Sequence, residues 1–248
     1  MIEDTINIAT ADGAMDTFVV RPPHGGPHAA VVMLMDAAGV RDSLRDIARR
    51  IAGWGFVVLL PNLYYRLDRG FVAGPLHNHP DAEANRARMM RHRETVGHAE
   101  VIRDVGALLS HIDAEPAARR GKVGVVGYCM SGAYVVTACA SHAERIACGA
   151  SFYGTRLMAD TPDAPWRRLR QVKADLHFAF AETDSYVPLA DVDAFRGQLA
   201  AAGLRSAVEI LPGTGHGYAF PDSDAYDKAA AERHFESMQA LFRRCLSR

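Results

Sequence analysis

The sequence is short of cysteine, of net charge and of long apolar runs, and each shortage removes a class of protein. Its four cysteines, Cys129, Cys139, Cys148 and Cys245, form no CxxC pair and are too sparse in 248 residues for a disulfide-built secreted scaffold. Zinc-site spacing is missing as well, so no metal is expected. A formal net charge of −1 gives no basis for nucleic-acid or membrane partners. No stretch approaches the roughly 18 consecutive apolar residues of a membrane span. The first residues, MIEDTINIATADGAM, carry acids and no apolar core, so no signal peptide is expected and a cytoplasmic location is. Without low-complexity tracts, repeats or a linker, residues 1–248 are expected to form one domain.

What is present is ordinary globular composition, 49% hydrophobic and 23% charged, arranged as alternating strand-like and helix-like segments. Residues 3–21 read as a hairpin turning at Ala11-Asp12-Gly13. Residues 29–35 form a continuous apolar run, as expected of a strand buried on both faces. Leu44, Ile47, Ala48 and Ile51 have helical spacing within 42–53. Further strands are expected at 56–60, 122–126, 146–152, 176–181 and 207–211. A long helical region is expected over about 81–114, and helices from about Met130 to Ala140, at 189–202 and over about 224–246. This alternation predicts an α/β chain with a mostly parallel sheet covered by helices on both faces. Ligands of such sheets sit at the carboxyl ends of the strands.

The most informative segment is Lys122-Val-Gly-Val-Val-Gly127-Tyr128-Cys129-Met130-Ser131-Gly132. A buried strand runs into a helix there, with Cys129 at the junction and small residues, Gly127 and Ser131, two positions to either side. That is the strand-turn-helix setting of a nucleophile elbow, with cysteine in place of the usual serine. A helix amino terminus favours a thiolate, and its N–H groups, that of Met130 first, can hold an oxyanion. The alternative is a buried core thiol, the reading taken for Cys139, Cys148 and Cys245. Ser131 is a rival nucleophile by composition, but it falls inside the first helical turn, where packing is expected of it.

In this arrangement the acid and the histidine follow the nucleophile in chain order, each just past a later strand. Asp184 follows the strand at 176–181, with Glu182 as the competing acid and loop capping as the alternative role. His216 lies between Gly215 and Gly217 after the last strand. His216 would take the thiol proton or stabilise a thiolate already formed, Asp184 would orient the imidazole, and Cys129 would attack an ester or lactone carbonyl to form an acyl-enzyme. No cofactor is required. His77 and His79 form an HxH pair without further ligands nearby.

Three segments, Gly127-Tyr-Cys129-Met-Ser-Gly132, Ala181-Glu-Thr-Asp184 and Gly213-Thr-Gly-His216-Gly-Tyr, resemble the dienelactone hydrolase (carboxymethylenebutenolidase) family, as does the tail Tyr226-Asp-Lys-Ala-Ala-Ala-Glu-Arg-His234. The resemblance covers nearly the whole chain and implies the α/β-hydrolase fold. It also implies that Ala37 supplies the second oxyanion N–H. Family members that cleave dienelactone carry a glutamate where this chain has Asp36, which implies that Asp36 modulates the thiol; capping of its own loop is the other reading. Those members hold the substrate carboxylate with arginines. Phe220 stands at one such position, and Arg86 or Arg88 could match the other or lie on a solvated helix face. Tyr64, Tyr128, Tyr218 and Phe220 suggest an aromatic-lined substrate pocket, although aromatics at strand ends are also common in cores.

The leading expectation is therefore a cysteine hydrolase of small esters or lactones, monomeric or homodimeric. The alternatives are a thioesterase or acyltransferase using the same triad, and a non-catalytic small-molecule-binding homologue.

Overall fold

In the computed structural model, which describes residues 1–247, these form two compact units, Met1–Arg120 and the described residues from Gly121 onward. In the first unit, β1 (Ile2–Thr10) and β2 (Gly13–Arg21) make the expected antiparallel hairpin, with Gly13 at φ 134° closing the turn. β2 pairs antiparallel with β4 (Val57–Pro61), which pairs parallel with β3 (Ala30–Leu34). Every residue of β3 and β4 is buried, which is why both read as unbroken apolar runs. Helix α1 (Asp42–Ala52) buries Leu44, Ile47, Ala48 and Ile51, the stripe its spacing predicts.

The long helix expected over 81–114 is two helices, α2 (Ala82–Arg93) and α3 (His98–Ala114). Gly97 adopts an extended conformation between them, and its N–H donates to the Glu100 carboxylate at 3.1 Å, restarting the helix. α2 buries only Ala82 and His92, so it has no apolar stripe to fix its period.

The second unit is a four-stranded parallel sheet in the order β5 (Val123–Tyr128), β6 (Ile146–Phe152), β7 (Asp175–Thr183) and β8 (Ser206–Gly215). Its helices are α4 (Met130–Ser141), α5 (Leu189–Ala201) and α6 (Lys228–Leu246), with a 3₁₀ helix at Pro165–Gln171 that the sequence pattern did not suggest. Two glycines of β5 show how α4 and α6 reach opposite faces. A Cβ at Gly124 would meet Phe242 of α6 at 3.0 Å, and one at Gly127 would meet the Ser131 carbonyl oxygen of α4 at 2.5 Å. Positions three apart on a strand point to opposite sides, so each glycine admits one helix.

Strands β5, β7 and β8 run further than their apolar cores, to Tyr128, Thr183 and Gly215. Ladder pairing carries them on: Tyr128 pairs with Phe152, and Thr183 with Gly215. The terminal helix begins at Lys228 instead of 224, because the Asp227 side chain accepts the N–H of Ala230 at 2.8 Å and caps it. No helix of the described residues is long and apolar enough to cross a membrane.

Candidate active site

The strand extensions decide where the reactive side chains fall. Cys129, Asp184 and His216 each follow directly on the carboxyl end of a strand, β5, β7 and β8 respectively, all within the second unit. Cys129 is thus the first residue beyond its strand. Its backbone lies at φ 51° and ψ −116°, a conformation that costs a non-glycine residue about 1–3 kcal/mol. Backbone hydrogen bonds impose it. Cys129 N–H donates to the Phe152 carbonyl at 3.2 Å, and its own carbonyl accepts the N–H groups of Gly132 and Thr155, both at 3.0 Å. The turn is tight enough that Gly127 has no room for a side chain. The Cys129 side chain is partly accessible, whereas Ser131 is fully buried, so the rival serine has no approach.

His216 Nδ1 lies 2.7 Å from Asp184 Oδ2. The Asp184 side chain is sealed from solvent, and its other oxygen accepts the N–H of Tyr186 at 2.8 Å. Nε2 of His216, the nitrogen left over, is buried and has no hydrogen-bond partner. Three effects act on this imidazole. Burial opposes its charged form, while the Asp184 carboxylate and the Cys129 sulfur favour it. The attractive pair wins, and the His216 pKa is raised to about 10. Cys129 is one of the two groups that favour the charged ring, which sets its thiol within interaction range of the imidazole.

Glu182, the competing acid, is otherwise employed: its carboxylate accepts the N–H of Gly213 at 2.9 Å and fastens the end of β7 to β8. Tyr153 and Tyr186 flank the imidazole, with ring centroids 5.1 and 4.8 Å from it. Sequence reading passed over both. The available signal was their position at the carboxyl edge of the sheet, Tyr153 directly after β6 and Tyr186 in the loop after β7.

The aromatic residues expected to line a pocket are core instead. Tyr128 is fully buried, with its hydroxyl 3.1 Å from His234 Nε2. Phe220 packs 5.1 Å from Tyr128, and Tyr218 stands edge-on to Tyr153 at 5.0 Å. Tyr128 ends β5, and Tyr218 and Phe220 lie in the turn after β8; all three are at most 2% exposed, so their bulk fills the interior. Burial pushes the phenols of Tyr128 and Tyr218 well above the ordinary range.

In the first unit, Tyr64 is also fully buried and donates its hydroxyl to the Ala37 carbonyl at 3.0 Å. Asp36 is engaged within its own loop: one oxygen accepts the N–H of Ala38 at 3.0 Å and the Arg41 guanidinium at 2.7 Å. The loop-capping role of Asp36 is therefore the one its side chain performs. Arg88 donates to the Val72 carbonyl at 2.9 Å and covers the Phe71 ring, while Arg86 donates to the Leu76 carbonyl. Both tie α2 to the loop before it. Of the other cysteines, Cys139 and Cys148 are buried, but Cys245 is partly exposed on the last turn of α6, with its sulfur 3.7 Å from Asp175 Oδ2.

Among the described residues, no group of three or more His, Cys, Asp or Glu side chains could hold a metal ion. A strained cysteine at a helix start, an imidazole with one free nitrogen and a sealed carboxylate can together perform nucleophilic acyl transfer.

Comparison with known proteins gives a consistent picture. Residues 15–246 match the model of the dienelactone hydrolase family. A provisional carboxymethylenebutenolidase from Synechocystis sp. is 25% identical over 228 residues, spanning 91% of this chain and 89% of its own. A provisional dienelactone hydrolase from Klebsiella pneumoniae superposes with a TM-score of 0.85 at 20% identity, covering 97% of this chain and 98% of its own. A dienelactone hydrolase-like promiscuous phosphotriesterase from metagenomic libraries superposes with a TM-score of 0.81 at 19% identity, over 99% and 98% of the two chains. At these identities the superpositions establish the fold and nothing finer.

Proposed function

The chain belongs to the dienelactone hydrolase family of α/β-hydrolases and is an ester or lactone hydrolase; from that premise we propose that it acts through a Cys129 acyl-enzyme. His216 takes the thiol proton or stabilises a thiolate already formed; its pKa, raised to about 10, favours the imidazolium partner of a thiolate, and Asp184 orients the ring. The thiolate attacks the carbonyl, the C–S bond forms, and the tetrahedral oxyanion collapses with expulsion of the alkoxide, which His216 protonates. Water deprotonated by His216 then cleaves the thioester and restores the thiol. The N–H of Met130, at the first position of α4, serves as one oxyanion donor. The family resemblance supports the N–H of Ala37 as the other. The match across 15–246 supports reading both units as one catalytic domain.

The observation that carries this reading is the His216 imidazole, bonded through Nδ1 to a sealed Asp184 while Nε2 stays unpartnered and under the influence of Cys129. Phe220 is buried and Arg86 and Arg88 are occupied with their own loop, so these three positions give no support to recognition of a dienelactone carboxylate there. Hydrolysis of a panel of nitrophenyl esters, thioesters and lactones tests the reading. Turnover of oxygen esters or lactones that Cys129→Ala abolishes supports it. Turnover confined to thioesters would make the protein a thioesterase, and full activity without Cys129 would remove the nucleophile.

A further inference from the structure

A cavity of about 220 Å³ opens in the second unit beside the triad. Its floor is apolar: Leu157, Phe180, Val192 and Phe195 line it, each at most 4% exposed. Its mouth is polar, formed in part by Arg156, Tyr186 and Asp191. Two links join this mouth to the catalytic residues. Tyr186, 66% exposed, has its ring against His216 and its N–H on Asp184. Thr155, the neighbour of Arg156, donates its N–H to the Cys129 carbonyl.

Arg156 is the unusual member. Its backbone is left-handed, at φ 61°, where arginine is disfavoured. Its guanidinium makes no hydrogen bond or ion pair with any described residue, although most surface arginines of this chain are paired. A strained backbone that places an unpaired cation among the residues lining an apolar hollow suits a ligand with an apolar body and an anionic group. Asp191 is the one acidic group lining the cavity and is not paired with Arg156. At 220 Å³ the cavity is smaller than the roughly 300–1,000 Å³ of pockets for drug-sized ligands, so the body it accepts is small.

We propose that this cavity is a substrate subsite for a short apolar chain and that Arg156 at its mouth selects substrates carrying an anionic group. The assignment as a substrate subsite rests on the Cys129–His216 reading of the triad. The binding itself does not, which allows the two to fail separately.

The test is a ligand-observed NMR titration of the full chain with hexanoate, hexyl phosphate and hexan-1-ol, repeated on Cys129→Ala. At least one anion is expected to bind about tenfold or more tightly than the alcohol to both proteins, and the tighter of the two identifies the head group. Arg156→Gln should bring the anion down to the level of the alcohol, Arg156→Lys should retain most of the preference, and Asp191→Asn should increase it. Val192→Phe, shown to be folded by its melting temperature, should weaken all three ligands by filling the floor. Equal affinities for anion and alcohol in the wild-type chain, or an anion preference that survives Arg156→Gln, would overturn the proposal. Loss of the esterase reading would instead appear as absent ester turnover with the anion preference intact.

Discussion

Asp184 Oδ2 and His216 Nδ1 lie 2.7 Å apart, with the carboxylate wholly shielded from water. Shielding strengthens the hydrogen bond and fixes which imidazole nitrogen faces Cys129. Asp184→Asn should therefore preserve the fold and lower kcat by about a hundredfold or more, by removing the charge that orients and stabilises the imidazolium. Steady-state kinetics on a nitrophenyl ester check it, with KM changing much less than kcat.

Glu182→Gln separates the two acids of the Ala181-Glu-Thr-Asp184 segment. Its carboxylate holds only the Gly213 N–H, on an exposed part of the strand end. The amide oxygen of glutamine can still accept that bond, so activity should fall by less than about threefold. A loss as large as that of Asp184→Asn would reassign the acid.

The raised pKa of His216 sets a pH signature. Burial works against the imidazolium, and Asp184 and Cys129 together raise the pKa from the ordinary 6.5 to about 10. Because the folded protein holds this proton more tightly than the unfolded chain, the associated stability is fully present below about pH 6.5. It is lost as pH rises through about 10. Cys129→Ala removes one of the two attractive partners, so the His216 titration should move to lower pH and the loss should begin earlier. NMR titration of the imidazole, alongside denaturant melts across pH 6–11, reads both.

Gly127→Ala tests the elbow's packing. The added methyl would lie 2.5 Å from the Ser131 carbonyl oxygen and 2.9 Å from Val135, so α4 must retreat from β5. A destabilisation of about 1–3 kcal/mol is expected, with activity falling further than stability alone accounts for, because Cys129 sits where strand and helix meet. Thermal denaturation and ester hydrolysis on the same samples measure the two effects.

The strand-end placement of the three proposed triad residues was legible because its signals are local. A buried strand breaking into a helix at Gly127-Tyr-Cys129, and a histidine between Gly215 and Gly217, declare their geometry within a few residues. The parallel sheet was legible for a similar reason, since strands buried on both faces leave unbroken apolar runs. What could not be read depends on distant partners. Tyr128 and Phe220 have pocket-like composition, but packing with each other and with His234 of α6 makes them core. For Asp36 the sequence left loop capping and thiol modulation open, and only the structure shows Arg41, five residues on, bonded to its carboxylate. Arg156 has no local motif, and only the cavity beside it gives its charge a meaning.

The central claim, that Cys129 is the atom acylated, is tested most directly by intact-protein and peptide mass spectrometry after brief exposure to a small ester or lactone and acid quench. The account predicts a single acyl adduct on the peptide containing Cys129, lost in Cys129→Ala and formed at an undiminished rate in Ser131→Ala. An adduct on Ser131, or brisk hydrolysis by Cys129→Ala, would contradict it.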